Sequence, residues 1–250
     1  MKQTENSNLV LGREEVYKAS PRIWSFKYTY DIVNGMNLNL SNMVSAYPFE
    51  YGGYQWKDSE RLYLCGEFST NIEQHYQIQR KLVEAKSGYA AKRFVKSPNN
   101  QFVRADFAEF RLQWMLFVVW QKCKGNANFR KLLLQIPDGV TLVENTTTTD
   151  KGGTAEVWGC RNAELVDYRN SLAAEITKAY PTIKKKDLKL LINIETNKIN
   201  SIGEWRGQNN IGKIFLICRG CIKEGKQPVI DYDLLRNAQI HIFGKPLQFN

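Results

Sequence analysis

Apolar and polar positions change period several times along the chain, and each change marks an element. Trp24, Phe26, Tyr28 and Tyr30 alternate with polar residues, the two-residue repeat of a half-buried strand, inside a mixed, Asn/Ser-rich opening. From Tyr47 to Tyr54 aromatic residues combine with Pro48, Gly52 and Gly53, which predicts a strand and turn leading into a helix from about Trp56. Ser59 and Glu60 then fall near the start of that helix. A second amphipathic helix is expected over Asn71 to Lys86, ending near Gly88. The strongest helical signal is Asp106 to Lys122, where Phe107, Phe110, Arg111, Trp114, Met115, Val118 and Val119 recur at three- and four-residue spacing, so this helix should be core.

Further on, Phe129 to Ile136 reads as a short helix turned by Pro137, Asp138 and Gly139, and Val140 to Val143 as a strand with Glu144 at its end. The tract Asn145 to Gly153 is loop-like. Asn162 to Trp205 differs in character: a helix over Glu164 to Tyr180, the basic run Lys184 to Lys186 with Lys189, then the apolar LKLLINI, which together suggest an insertion packed on the core. A turn over Gly207 to Gly212 leads into IFLICR, and the last 25 or so residues are strand-like by pattern. The sum is an α+β, helix-rich single domain with an inserted basic helical segment.

Composition adds one outlying feature. A chain of 250 residues with 43% hydrophobic and 24% charged residues is ordinarily globular, but 35 Lys+Arg against 25 Asp+Glu leaves +10, which favours polyanionic partners. The longest apolar run, Trp114 to Trp120, is far short of the roughly 18 residues of a membrane span. The opening MKQTENSNLV has no apolar stretch of the kind that drives export, and 5 Cys without disulfide spacing suit a reducing cytoplasm. With only His75 and His241, catalysis would rest on carboxylates, Lys, Asn or a metal.

Several local motifs are weak. Gly207-Gln-Asn-Asn-Ile-Gly212-Lys213 fits part of a phosphate-binding loop, but Ile214 stands where Mg²⁺ ligation needs Ser or Thr, and no buried strand precedes it. It serves equally as a helix cap or as a set of backbone N–H groups for a phosphate. Cys218 and Cys221 form a C-x-x-C pair lacking two further zinc ligands, so buried thiols are the better reading and no metal is assigned. Lys184 to Lys186 is a phosphate-contacting patch or a solvated face. Among the tryptophans, Trp158 and Trp205 are better placed than Trp114 to stack on a base, and Trp56 is a further candidate.

Taken in order, the pieces resemble the NADAR (YbiA-like) family over roughly Tyr47 to Arg219. They are Gln55-Trp56-x-x-Ser59-Glu60, Ala91-Lys92, Arg104-x-Asp106-Phe107-x-x-x-Arg111-x-x-x-Met115, Lys122, Phe129-x-x-Leu132-Leu133, Leu142-Val143-Glu144-Asn145, Trp158-Gly159, and Gly207-x-Asn209-x-x-Gly212-Lys213 ending at Arg219. Two departures stand out. Phe107 replaces the family's usual Trp, and Ala155 stands where an Asp is usual, leaving Asp150 or Glu156 as substitutes. The stretch from Asn162 to Trp205 is also longer than in compact members.

The resemblance implies an N-glycosidase without a cofactor, cleaving a ribose C–N bond either in ADP-ribose attached to a base, including guanine in DNA, or in phosphorylated riboflavin-pathway intermediates. It also implies functional pairing with a toxin-like ADP-ribosyltransferase. Cleavage through an oxocarbenium-like state suits carboxylates: one stabilises positive charge, another activates water, and an acid protonates the leaving nitrogen. On the resemblance, Glu60 is the main catalytic carboxylate, Lys92 a proton donor or phosphate contact, and Glu144 with Asn145 a pair that orients ribose hydroxyls. Trp158 would stack on the base, Trp56 and Gly159 would bind substrate, and Asn209, Gly212, Lys213 and Arg219 would hold phosphate or ribose. Arg111 would bind substrate or pair with Glu60 or Glu144. The +10 charge tips the expectation towards DNA; a non-catalytic basic nucleic-acid-binding module is the rival of another class.

Overall fold

The computed structural model describes residues 9–27, 31–96, 98–146, 157–197 and 202–249. Short strands open the chain: β1 (Glu15–Lys18), β2 (Ile23–Phe26), β3 (Asp31–Val33), β4 (Met36–Leu38), β5 (Phe49–Tyr51) and β6 (Tyr54–Trp56). Helices α1 (Ser59–Glu67), α2 (Glu73–Glu84), α3 (Gly88–Lys96), α4 (Phe107–Gly125) and α5 (Ala127–Gln135) follow. Then come β7 (Thr141–Glu144), α6 (Ala163–Ala179), α7 (Lys185–Asn197), β8 (Glu204–Gly207), α8 (Asn210–Glu224), α9 (Tyr232–Asn237), β9 (His241–Ile242) and β10 (Lys245–Pro246). The class is mixed α and β, as the periodicities indicate. Among the described residues no helix is long and apolar enough to cross a membrane.

Local chemistry explains where elements begin. Gly52 and Gly53 take φ of 62° and 79°, the positive pair that closes a two-residue hairpin between β5 and β6. That hairpin ends at Trp56, and α1 begins only after Asp58, whose carboxylate accepts from the Arg61 N–H at 3.0 Å as an N-cap. Asn126 and Asn162 cap α5 and α6 in the same way. The helix placed over Asn71 to Lys86 runs from Glu73 to Glu84, and Gly88, read as its stop, instead opens α3. The strand-like reading of the last 25 residues is corrected to a short helix, α9, and two two-residue strands, because Asp231 caps the Leu234 N–H at 2.8 Å and starts a helix there.

Helix α4 is the centre. Twelve of its residues, from Phe107 to Cys123, are buried, and α1, α5, α8 and α9 all pack on it. The α1–α4 crossing is close: a Cβ on Gly66 would lie 2.2 Å from the Trp114 indole nitrogen, which donates to the Tyr63 carbonyl at 3.0 Å. Eight of the nine α1 residues are buried, so this helix is held on every side. Beside the helices, β2 runs parallel to β7, with Phe26 opposite Glu144. Bridges Asn145↔Cys160 and Arg161↔Arg206 carry the ladder on to β8, which pairs antiparallel with β1. Val143, Cys160 and Trp205 form a small second cluster under that ladder. The segment from 162 to 205 contains the helix pair α6–α7, which packs on itself and touches the body at β8.

Candidate active site

Three elements distant in sequence bring their acidic and basic side chains together. On α1, Glu60, Tyr63 and Glu67 are spaced three and then four residues apart, which sets them on one face of the helix. From α3, Lys92 reaches that face, its Nζ 3.6 Å from Glu60 Oε1. At the end of β7, Glu144 belongs to the same electrostatic cluster: the charges of Lys92 and Glu60 both act on it. Arg111, one turn into α4, acts on Glu67 and Tyr63. Tyr63 meets Trp158 edge-on with ring centroids 5.3 Å apart, and Phe107 at 5.5 Å.

Burial sets the protonation states. Glu60 is 7% exposed in its side chain, and burial lifts its pKa above the ordinary carboxylate value, opposed by Lys92 and reinforced by Asp58. Burial also lifts Glu67 to about 7, helped by Glu60 and opposed by Lys92 and Arg111. Glu144 likewise rises to about 7 through burial, with Lys92 lowering and Glu60 raising it. Lys92 is held above its ordinary value, first by Glu60 and then, against its own burial, by Glu144 and Glu67. Near neutral pH the cluster therefore contains a lysine cation and carboxyl groups poised between acid and base.

The backbone around Glu144 is clamped. Asn209 adopts left-handed backbone (φ 50°) ahead of α8; its Nδ2 donates to the Leu142 carbonyl at 2.7 Å and its Oδ1 accepts from the Glu144 N–H at 3.2 Å. A Cβ on Gly212 would meet the Leu142 oxygen at 2.3 Å, and one on Gly159 the Glu144 oxygen at 2.4 Å. Both glycines thus let neighbouring backbone close on the end of β7. Asn145, next to Glu144, donates its N–H to the Phe26 carbonyl at 2.8 Å.

No protein-family model matches the chain, and no curated protein matches it. The site therefore stands on its geometry and on the motif resemblance.

Glu60, Lys92, Glu144, Arg111 and Trp158 come together, with Asn145 and Gly159 flanking Glu144. Other predicted residues have different employment. Trp56 is 1% exposed, donates to the Tyr51 carbonyl at 3.0 Å and stacks on Phe243, so its faces are taken by the core. Lys213 is buried, donating to the Val10 and Arg13 carbonyls at 2.9 and 2.8 Å and pairing with Glu15 at 3.0 Å; its ammonium holds the N-terminal segment rather than a phosphate. Arg219 donates to the Ile136 carbonyl at 2.9 Å and pairs with Asp138, fixing the turn before β7. Asn209 and Gly212 lie against the backbone of Leu142 and Glu144, as described. Ala155, Asp150 and Glu156 lie outside the described residues.

Glu67 and Tyr63 are the site residues that motif reading missed. Their signal was present as periodicity, since a residue two turns after Glu60 on a helix shares its face. Cys218 is buried on α8, with its thiol raised by burial and by a hydrogen bond with Cys123, and Cys221 is half-buried. Among the described residues no group of three or more His, Cys, Asp or Glu is arranged to hold a metal ion.

Proposed function

We propose that the protein is an N-glycosidase that hydrolyses the bond between a ribose anomeric carbon and a base nitrogen, removing ADP-ribose from modified guanine in DNA. The observation that carries this reading is the convergence of Glu60, Glu67 and Glu144, from α1 and β7, around Lys92 of α3 and beside Trp158. The resemblance supplies the reaction class, and the cluster has the groups that reaction requires.

Cleavage of the C1′–N bond leaves positive charge on the sugar and an electron pair on the base nitrogen. Ionised Glu60 stabilises the sugar charge, and Lys92 beside it opposes the rise in pKa that burial causes. A protonated carboxyl, Glu67 or Glu144, gives its proton to the departing nitrogen, while the other, ionised, takes a proton from the water that attacks C1′. The products are free ADP-ribose and the restored base, and the two carboxyls exchange protonation states before the next turnover. Trp158 offers a partly exposed ring for stacking, and Lys92 and Arg111 offer cations for the diphosphate.

The test is parallel incubation with ADP-ribosylated DNA, ADP-ribosylated protein and phosphorylated riboflavin intermediates, followed by chromatography of the released sugar. Release of ADP-ribose from the DNA supports the reading. Release from the riboflavin intermediates alone replaces the substrate, and release from none overturns the glycosidase assignment.

A further inference from the structure

The helix pair α6–α7 is built as a projecting arm whose charges are segregated. Helix α6 has no buried residue, and α7 buries Ile192 and Thr196. Arg169 ties the two helices together through Asn193 and Thr196, at 2.7 and 3.0 Å. Residues 178–189, around the far turn, carry Lys178, Lys184, Lys185, Lys186 and Lys189 against Asp187. The rest of the arm carries Glu164, Asp167, Glu175 and Glu195 against Arg169. The tip lysines are exposed and, among the described residues, take part in no ion pair. Tyr180 stands with them, 61% exposed.

Lys178 suits the last turn of α6, but stability does not account for Lys185 and Lys186. Lys185 and Lys186 occupy the first turn of α7, where the helix dipole disfavours cations, and adjacent ammonium groups repel one another. A polyanion removes both penalties. The arm is also rooted beside the candidate active site: Asn162 caps α6 four residues after Trp158 and ties the root to the Ile202 carbonyl at 2.9 Å. Helix α6 spans about 25 Å, a length over which one strand of B-form DNA carries about seven phosphates.

We infer that the tip of the α6–α7 arm, formed by Lys178, Lys184, Lys185, Lys186 and Lys189 with Tyr180, is a docking surface for the backbone of the nucleic acid that carries the modified base. The lysines neutralise phosphates and Tyr180 gives a base a ring to stack on. Nucleic acid fits better than an anionic membrane, because Glu164, Asp167 and Glu175 along α6 oppose laying the arm flat on anionic lipid, whereas tip contact leaves them clear of a phosphate chain. The inference takes DNA from the function proposed above, but its test reads binding, not turnover.

The experiment is fluorescence anisotropy of labelled single-stranded and duplex oligonucleotides with the full chain over a series of salt concentrations. The variant Lys184→Ala/Lys185→Ala/Lys186→Ala removes exposed side chains only, and circular dichroism checks its fold. Loss of these contacts is expected to weaken binding at least tenfold at low salt and to flatten the slope of log K against log salt by about 2 on single strands and about 3 on duplex. An unchanged slope and affinity in the triple variant overturns the inference, as does arm-dependent capture of phosphatidylserine vesicles without DNA binding. Arm-dependent DNA binding by a protein that hydrolyses none of the substrates sustains the inference while the glycosidase reading fails.

Discussion

Glu60 is an acid whose pKa burial raises against the pull of the half-exposed Lys92, and its two acidic neighbours sense its charge in turn. Replacing it with Gln removes a negative charge from beside Glu67 and Glu144. Both are then expected to titrate below the value of about 7 that burial and Glu60 now give them, as a ¹³C-carboxyl NMR titration would show. Unmoved midpoints would mean that the carboxyls do not sense one another. On the proposed mechanism, the carboxyl that protonates the leaving nitrogen loses its proton as pH rises through about 7, so kcat/KM is expected to fall on the alkaline side of neutrality. A profile flat from pH 6 to 9, about the range over which such a group titrates, would contradict this.

At this scale the sequence was informative where a residue's chemistry is used and misleading where its partner is internal. Lys213 and Arg219 have the right chemistry for phosphate, but β1 and the turn before β7 supply carboxylates and carbonyls from far along the chain. Motif spacing contains no record of such partners. Glu67 was the opposite case, legible through helical period and passed over because no motif included it.

Among the elements, the end of β7, which carries Glu144, is held by Asn209 and closely packed by Gly159 and Gly212. Asn209→Ala leaves the Glu144 N–H and the Leu142 oxygen without their partner and places Ala in left-handed backbone. The expected loss is about 2–4 kcal/mol of stability, with Asn209→Gly about 1 kcal/mol less costly because glycine accepts that backbone. Urea denaturation of both variants checks the order, and equal losses would remove the backbone part of the argument. Gly212→Ala drives a methyl against the Leu142 oxygen and is expected to cost about 3 kcal/mol or more, read as a lowered Tm.

Long periodic helices were legible: α4, α5 and α6 lie close to where their apolar spacing puts them. Helix α3 was not, because Gly88 reads as a stop while packing against Met43 requires glycine there, its absent Cβ lying 2.9 Å from the Met43 Cβ. The short helix α9 was hidden for a similar reason, since its start depends on one capping aspartate more than on apolar period.

For the whole molecule, buried ionisable groups give stability a definite pH dependence. Glu67 and Glu144 have folded values of about 7 against an ordinary 4.5, so the native state binds their protons more tightly than the unfolded chain does. Their contribution is full below about 4.5 and is lost as pH rises through 7. Lys122, buried over the Phe129 and Tyr47 rings, is lowered to about 8, and its contribution returns only as pH rises from 8 towards its ordinary 10.5. Carboxylates held below their ordinary values, such as Asp106 beside Arg104, lose stability in stronger acid. Urea unfolding is therefore expected to show greater stability near pH 5 than near pH 7.5, the two sides of the Glu67 and Glu144 titrations; the reverse order would show that neither group is protonated by folding.

The +10 charge of the chain is divided between uses: internal cations such as Lys213 and Arg219, the site cations Lys92 and Arg111, and the exposed tip of the arm. Net charge alone did not separate them. The central claim, that the Glu60 cluster is a glycosidase site, is tested most directly by the rate at which wild type and Glu60→Gln release free ADP-ribose from ADP-ribosylated DNA, with both proteins shown to be equally folded. The expected result is release by the wild type and a rate about 10²-fold or more lower in the variant. Equal rates, or no release by the wild type, would contradict it.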